Sequence, residues 1–163
     1  MYNNTLFDGS SLPSLQLAYT SMVTGDLRAT CPNNKEAKTA SEGFKSPVCR
    51  YVVTNRPSKP LSLFGFPSTF AFHMWDLVAF FGFPSELGYQ PSEEDKAFMV
   101  DLRREFGEFI NRKGNVKTEE WEVYPSKTAL FTDKGVQVPG DEYHKEQCNF
   151  WLKNGFFSYA WIN

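Results

Sequence analysis

The sequence predicts an α/β fold with an incomplete sheet, flanking helices and a hairpin toward the end of the chain. Three observations carry this. Residues 48–55 (VCRYVVTN) are rich in β-branched and aromatic side chains and sit between Pro47 and Pro57, which marks a strand. Residues 92–111 repeat apolar positions at helical spacing. Residues 128–132 (TALFT) and 136–138 (VQV) flank Asp133-Lys134-Gly135, a hairpin signal.

Taken in order, residues 1 to about 15 are polar and punctuated by Gly9, Ser10, Ser11 and Pro13, so they read as loop. A short helix is expected over 15–23. Cys31-Pro32-Asn33-Asn34 reads as a turn, followed by a helix over about 35–42. In the strand at 48–55 apolar residues fall on both faces, the pattern of a strand buried within a sheet. Residues 56–91 carry five prolines and read as loop, with one helix over about 74–81.

The helix at 92–111 is the clearest element. Ser92 with Asp95 resembles a capping box, and Pro91 precedes it. Phe98, Leu102, Phe106, Phe109 and Ile110 share a face, while Arg103, Arg104 and Glu108 lie elsewhere. Gly114 marks a stop. A last helix is expected from near Asp141 to before Gly155, with Tyr143, Cys148, Trp151 and Leu152 close to one face. One strand and one hairpin do not cover the aromatic content, 16 Phe, 7 Tyr and 4 Trp, so the chain reads as part of a larger domain.

Composition excludes several classes. The 163 residues suffice for a core, and 41% hydrophobic against 22% charged is a globular balance, not a disordered one. A net charge of −2 leaves no basic footprint for nucleic acid. No apolar run approaches the roughly 20 residues of a membrane helix, and the first residues do not form a signal peptide. Asn3-Asn4-Thr5 fits the N-glycosylation pattern, a triplet common by chance. Cys31, Cys49 and Cys148 match neither zinc nor CxxC spacing, and an odd count allows one disulfide plus a thiol or three thiols.

Motifs for nucleophilic or phosphate chemistry are missing. Gly9-Ser10-Ser11-Leu12-Pro13 ends on Pro where Gly-x-Ser-x-Gly needs Gly, and a proline there could not open the following helix. No Gly-rich phosphate loop, His-Glu-x-x-His or EF-hand loop occurs, so no cofactor or metal is called for. Of the two histidines, His144 lies in the charged stretch DEYHKEQ and reads as a solvated surface residue. His73 is set among Phe70, Phe72, Trp75 and Phe80, with Asp76 three positions on. Locally it reads as a structural histidine.

Six blocks in register alter that reading. GDLRATCP resembles the segment of cholinesterases and type-B carboxylesterases that ends in a disulfide cysteine and proline. SPVCRYVVTNRPS resembles the core strand that follows, and FHMWDLVAFFG the block in which the catalytic histidine precedes an acidic residue and ends in Phe-Gly. REFGEFINRKGN, Trp121 and EQCNFW are similar to the family's later helix, tryptophan and final cysteine helix. The similarity spans about 15–152.

The resemblance implies the C-terminal part of an α/β-hydrolase fold, a single partial domain over 1–163. It implies that His73 is the triad histidine, that Asp76 braces it from behind, and that Cys31 and Cys148 form a disulfide. Phe72 and Trp75 are candidates for the pocket wall, and Cys49 is a small buried hydrophobe where the family has a larger residue. Met74 stands where the family commonly has glycine.

The implied chemistry is acyl transfer: serine attacks the ester carbonyl, and histidine takes and later returns the proton. Histidine side chains suit this role near neutral pH. In the family the serine, the acid and the oxyanion hole lie N-terminal to the matched region, so the fragment alone should be inactive. The implied partner is a small ester substrate, and the implied compartment is the secretory pathway or the extracellular space. The alternative is a fragment of a non-catalytic, cholinesterase-like adhesion protein. An independent small domain is the weakest reading, since half a sheet leaves edges unpaired.

Overall fold

A computed structural model describes residues 12–59, 61–63, 66–68, 71–82, 89–111, 124, 127–139 and 142–158. The Asn3-Asn4-Thr5 triplet, the stop at Gly114 and Trp121 lie outside them. The chain forms two compact units, Met1–Gly43 with Asp141–Asn163, and Phe44–Gly140. Helices accompany a small three-stranded mixed sheet, a mixed α/β class.

In the first unit, helix α1 (Leu12–Gly25), a π-helical segment (Asp26–Thr30) and helix α2 (Cys31–Gly43) follow one another without a break. Residues 12–15 of the expected loop and the expected turn at 31–34 are therefore helical instead, and the rest of that loop lies outside the described residues. Pro13 sits in the first turn of α1, where no N–H is needed. The π segment, closed by the Cys31 N–H on the Asp26 carbonyl, ends at Thr30, two residues before Pro32. Proline donates no bond and crowds the carbonyl four residues back, and a wider turn accommodates both.

Helix α5 (Lys145–Lys153) starts later than the expected Asp141 because His144 takes a left-handed backbone, φ 57°. It stops at Gly155, φ 73°, before a 3-10 turn at Phe156–Ser158. Leu152 is 60% exposed and so leaves the face shared by Tyr143, Cys148 and Trp151. A disulfide joins Cys31, at the start of α2, to Cys148 on α5, with Cα atoms 5.3 Å apart.

In the second unit, strands β1 (Tyr51–Val53), β4 (Ala129–Thr132) and β5 (Gly135–Gln137) form the sheet in the order β1-β4-β5. β1 runs parallel to β4, pairing Tyr51 with Ala129 and Val53 with Phe131. β4 and β5 are the expected hairpin, with Gly135 at φ 92° beside the turn. Among the described residues β1 is an edge strand and is half-buried, not enclosed on both sides as its apolar pattern suggests. A second hairpin, β2 (Leu61–Leu63) with β3 (Phe66–Ser68), lies in the stretch expected to be loop. Pro67 within β3 masks the strand pattern, yet a two-stranded hairpin has only edges, where proline is tolerated.

Helices α3 (Trp75–Phe81) and α4 (Glu93–Asn111) cover the sheet. The core joins Trp75 and Ala79 of α3, Phe98, Met99 and Leu102 of α4, and Ala129 and Phe131 of β4. Phe106 stacks on Phe131 (5.9 Å) and meets Tyr51 edge-on (5.0 Å), so much of the aromatic content is used here. The capping box forms: Asp95 N donates to Ser92 Oγ (3.2 Å) and Ser92 N donates to Asp95 Oδ2 (2.9 Å). The buried face of α4 includes Asp95, Met99 and Glu105 and omits Ile110, which is 65% exposed. Among the described residues no helix is long and apolar enough to cross a membrane.

Candidate active site

His73 lies in a four-residue turn, Phe72 to Trp75, closed by Trp75 N donating to the Phe72 carbonyl at 3.0 Å. Its third residue, Met74, has φ 75° and ψ 6°, the left-handed geometry a type II turn requires there. Glycine is the usual occupant because any Cβ is strained in that region. The turn leaves the His73 side chain exposed.

Both ends of the turn are fixed. Phe72 packs half-buried against the core, its ring 5.6 Å from that of Trp75. Trp75 is 1% exposed, stacks on Phe98, and donates its indole N–H to Asn55 Oδ1 at 2.9 Å. Asn55 follows β1, and its backbone N–H donates to the Phe131 carbonyl of β4 (2.9 Å). The histidine turn is thereby tied to the C-terminal end of two parallel strands, where α/β folds collect ligand-binding residues. Of the two aromatic residues beside His73, Trp75 is committed to the core and Phe72 keeps partial access.

Asp76, in the first turn of α3, accepts a hydrogen bond from Tyr51 Oη at 3.3 Å. Burial raises the Tyr51 hydroxyl above its ordinary range, and the Asp76 charge adds to the effect. The carboxylate thus holds α3 to β1. Among the described residues its side-chain bond goes to Tyr51 and none joins it to His73. His73 and Asp76 share an element boundary without touching through hydrogen bonds.

A second polar centre fixes the loop after β1. Asp95, 2% exposed, accepts from Ser58 N (2.9 Å), Ser58 Oγ (2.7 Å), Tyr89 Oη (2.7 Å), Ser92 N (2.9 Å) and Ser92 Oγ (3.1 Å). Burial raises its carboxyl, but the bonds from Ser58, Tyr89 and Ser92 outweigh this and hold it below the usual carboxylate range. Capping-box spacing shows Asp95 in the sequence. Its bonds to Ser58 cross 37 positions and have no local signature.

His144 departs from the solvated reading. It is half-buried, and its Nδ1 lies within hydrogen-bonding distance, 2.6 Å, of Oδ1 of buried Asp26. Tyr143 stacks on the ring at 4.1 Å. The partner stands 118 positions away, so the charged neighbours of His144 give no hint of it. Cys31 and Cys148 are joined as the resemblance implied, and Cys49 is a free, half-buried thiol raised by burial. A disulfide, with no membrane-crossing helix among the described residues, is compatible with an extracellular protein. No group of three or more His, Cys, Asp or Glu among the described residues could hold a metal ion.

Chemically, the turn offers an exposed imidazole, a group able to take up or release a proton, between half-buried Phe72 and buried Trp75. Compared with known proteins, the sequence matches no family model and no curated protein.

Proposed function

We propose that this chain is the histidine-bearing C-terminal portion of a serine carboxylic ester hydrolase of the type-B carboxylesterase class, with an α/β-hydrolase fold. The observation that carries the reading is the turn at His73: an exposed imidazole, a left-handed residue 74, and a buried Trp75 tied to the end of β1. A glycine, which the resembled family commonly has after the histidine, suits the left-handed backbone that Met74 adopts here.

In this reading His73 accepts the serine proton as the ester carbonyl is attacked and then protonates the leaving alcohol. The serine, the triad acid and the oxyanion N–H donors come from residues N-terminal to the resembled region. Asp76 acts at one remove, steadying α3 through Tyr51 and with it the turn. The substrate is a small carboxylic ester, and the disulfide suits a secreted parent.

The test is to express the complete product of the transcript that encodes these residues and treat it with a fluorophosphonate probe. The expected result is covalent labelling of a serine within Gly-x-Ser-x-Gly. Absence of labelling, with that serine replaced, would favour the cholinesterase-like adhesion protein instead.

A further inference from the structure

Within the second unit, a hollow of about 460 Å³ lies among the loop after β1, the start of α4 and the β4–β5 turn. Small-molecule sites commonly measure roughly 300–1,000 Å³. Asn55, Arg56, Glu94 and Asp133 line it. A smaller hollow of about 170 Å³ shares Glu94 and Asp133; Ala97, Phe98, Phe131 and Val136 wall the rest, with Thr132 and with Asp101, which is paired to Arg104.

Several of the polar groups here are not used by the fold. Asn55 is 6% exposed and its Oδ1 is taken by Trp75, while its amide N–H₂ donates to no other described residue. Among the described residues Arg56, Glu94 and Asp133 form no ion pair. Asp95 also lines the larger hollow, but its oxygens are filled by the bonds from Ser58, Tyr89 and Ser92. What remains is two donors, adjacent in the chain, and two carboxylates at the junction of the hollows.

We infer that this is a binding site for a free α-amino acid with an apolar side chain of about the size of leucine. Arg56 and the Asn55 amide hold its carboxylate, a pairing suited to planar oxyanions. Its ammonium lies between Glu94 and Asp133, and its side chain enters the smaller, more apolar hollow. A bare divalent cation fits less well, because a guanidinium and an amide N–H₂ offer it no lone pair. The site goes beyond the esterase reading and does not depend on it.

Titration calorimetry of the purified chain with L-leucine tests this, alongside glycine, N-acetyl-leucine, leucinamide and calcium chloride. Leucine should saturate a single site, and removing either ligand charge should weaken binding by about tenfold or more. Glycine should bind more weakly than leucine. Arg56→Gln and Asp133→Asn alter exposed side chains; each should weaken leucine by about fivefold or more with an unchanged circular dichroism melt. The inference is overturned if leucine does not saturate by about 10 mM. It is equally overturned if the blocked ligands or the variants bind as well, or if calcium alone binds.

Discussion

Asp95→Asn isolates the strongest polar node of the second unit. The carboxylate is 2% exposed and accepts from Ser58, Tyr89 and Ser92, its Oδ1 taking the Ser58 N–H and its Oδ2 the other four donors. An amide has one acceptor oxygen. Placed at the Oδ2 position it keeps the crowded side and turns its own N–H₂ toward the Ser58 N–H, so at least one buried donor loses its partner. A lost charge-assisted bond with an unsatisfied donor costs about 2–4 kcal/mol in total. The carboxyl is held below the value of about 3.9 that aspartate has in an unfolded chain. Its stabilising contribution is therefore complete above that value and is lost as pH falls through the lower, folded-state value. Urea denaturation followed by circular dichroism should show the 2–4 kcal/mol deficit of the variant at pH 7, and the deficit should shrink toward pH 3. A deficit under about 0.5 kcal/mol at pH 7, or one that grows on acidification, would refute the reasoning.

The disulfide closes a separation of 117 residues, so Cys31→Ser with Cys148→Ser should lower stability by about 4–5 kcal/mol on the chain-entropy account. Denaturant curves of oxidised wild type and variant give that difference directly. Met74→Gly should stabilise by about 0.5–1 kcal/mol, since relief of the left-handed Cβ exceeds the added freedom of the unfolded chain. Met74→Ala should bring no such gain, read from the same urea midpoints. Trp75→Phe should cost about 2–4 kcal/mol, because it leaves Asn55 Oδ1 without its indole donor and opens space beside Phe98. Its check is thermal unfolding together with the exposure of His73 to a histidine-modifying reagent, which should change as the turn loosens.

Local chemistry made several elements legible. The Ser92/Asp95 spacing marks a capping box that forms, Asp133-Lys134 turns the hairpin, and Gly155 ends the last helix. The disulfide pairing came through the resemblance, since cysteine counting left it open. What local pattern misses are partners far along the chain: Asp26 for His144, Ser58 for Asp95, Tyr51 for Asp76. It also misreads proline. Pro32 follows a widened π turn and Pro67 sits in a two-stranded hairpin, and in both places the backbone accommodates a residue taken as a sign of loop. Helical spacing alone puts Ile110 on the core face of α4, whereas the buried face is centred on Asp95, Phe98, Leu102 and Glu105, two of them carboxylates. Around His73 the sequence gives the residues, and only the backbone gives the left-handed Met74 that exposes the imidazole.

The assignment of His73 as general base meets its most direct test in steady-state hydrolysis of a p-nitrophenyl ester by the complete protein and its His73→Ala variant. Isolated residues 1–163 serve as a control and should show no saturable turnover, since no Gly-x-Ser-x-Gly occurs within them. His73→Ala should lower kcat by on the order of 10³-fold or more with the urea midpoint unchanged, because the side chain is exposed and takes no part in the core. Asp76→Ala should cost far less activity, as its bond goes to Tyr51. If His73→Ala instead destabilises the fold while the folded fraction keeps its specific activity, His73 is a structural histidine and the esterase assignment fails.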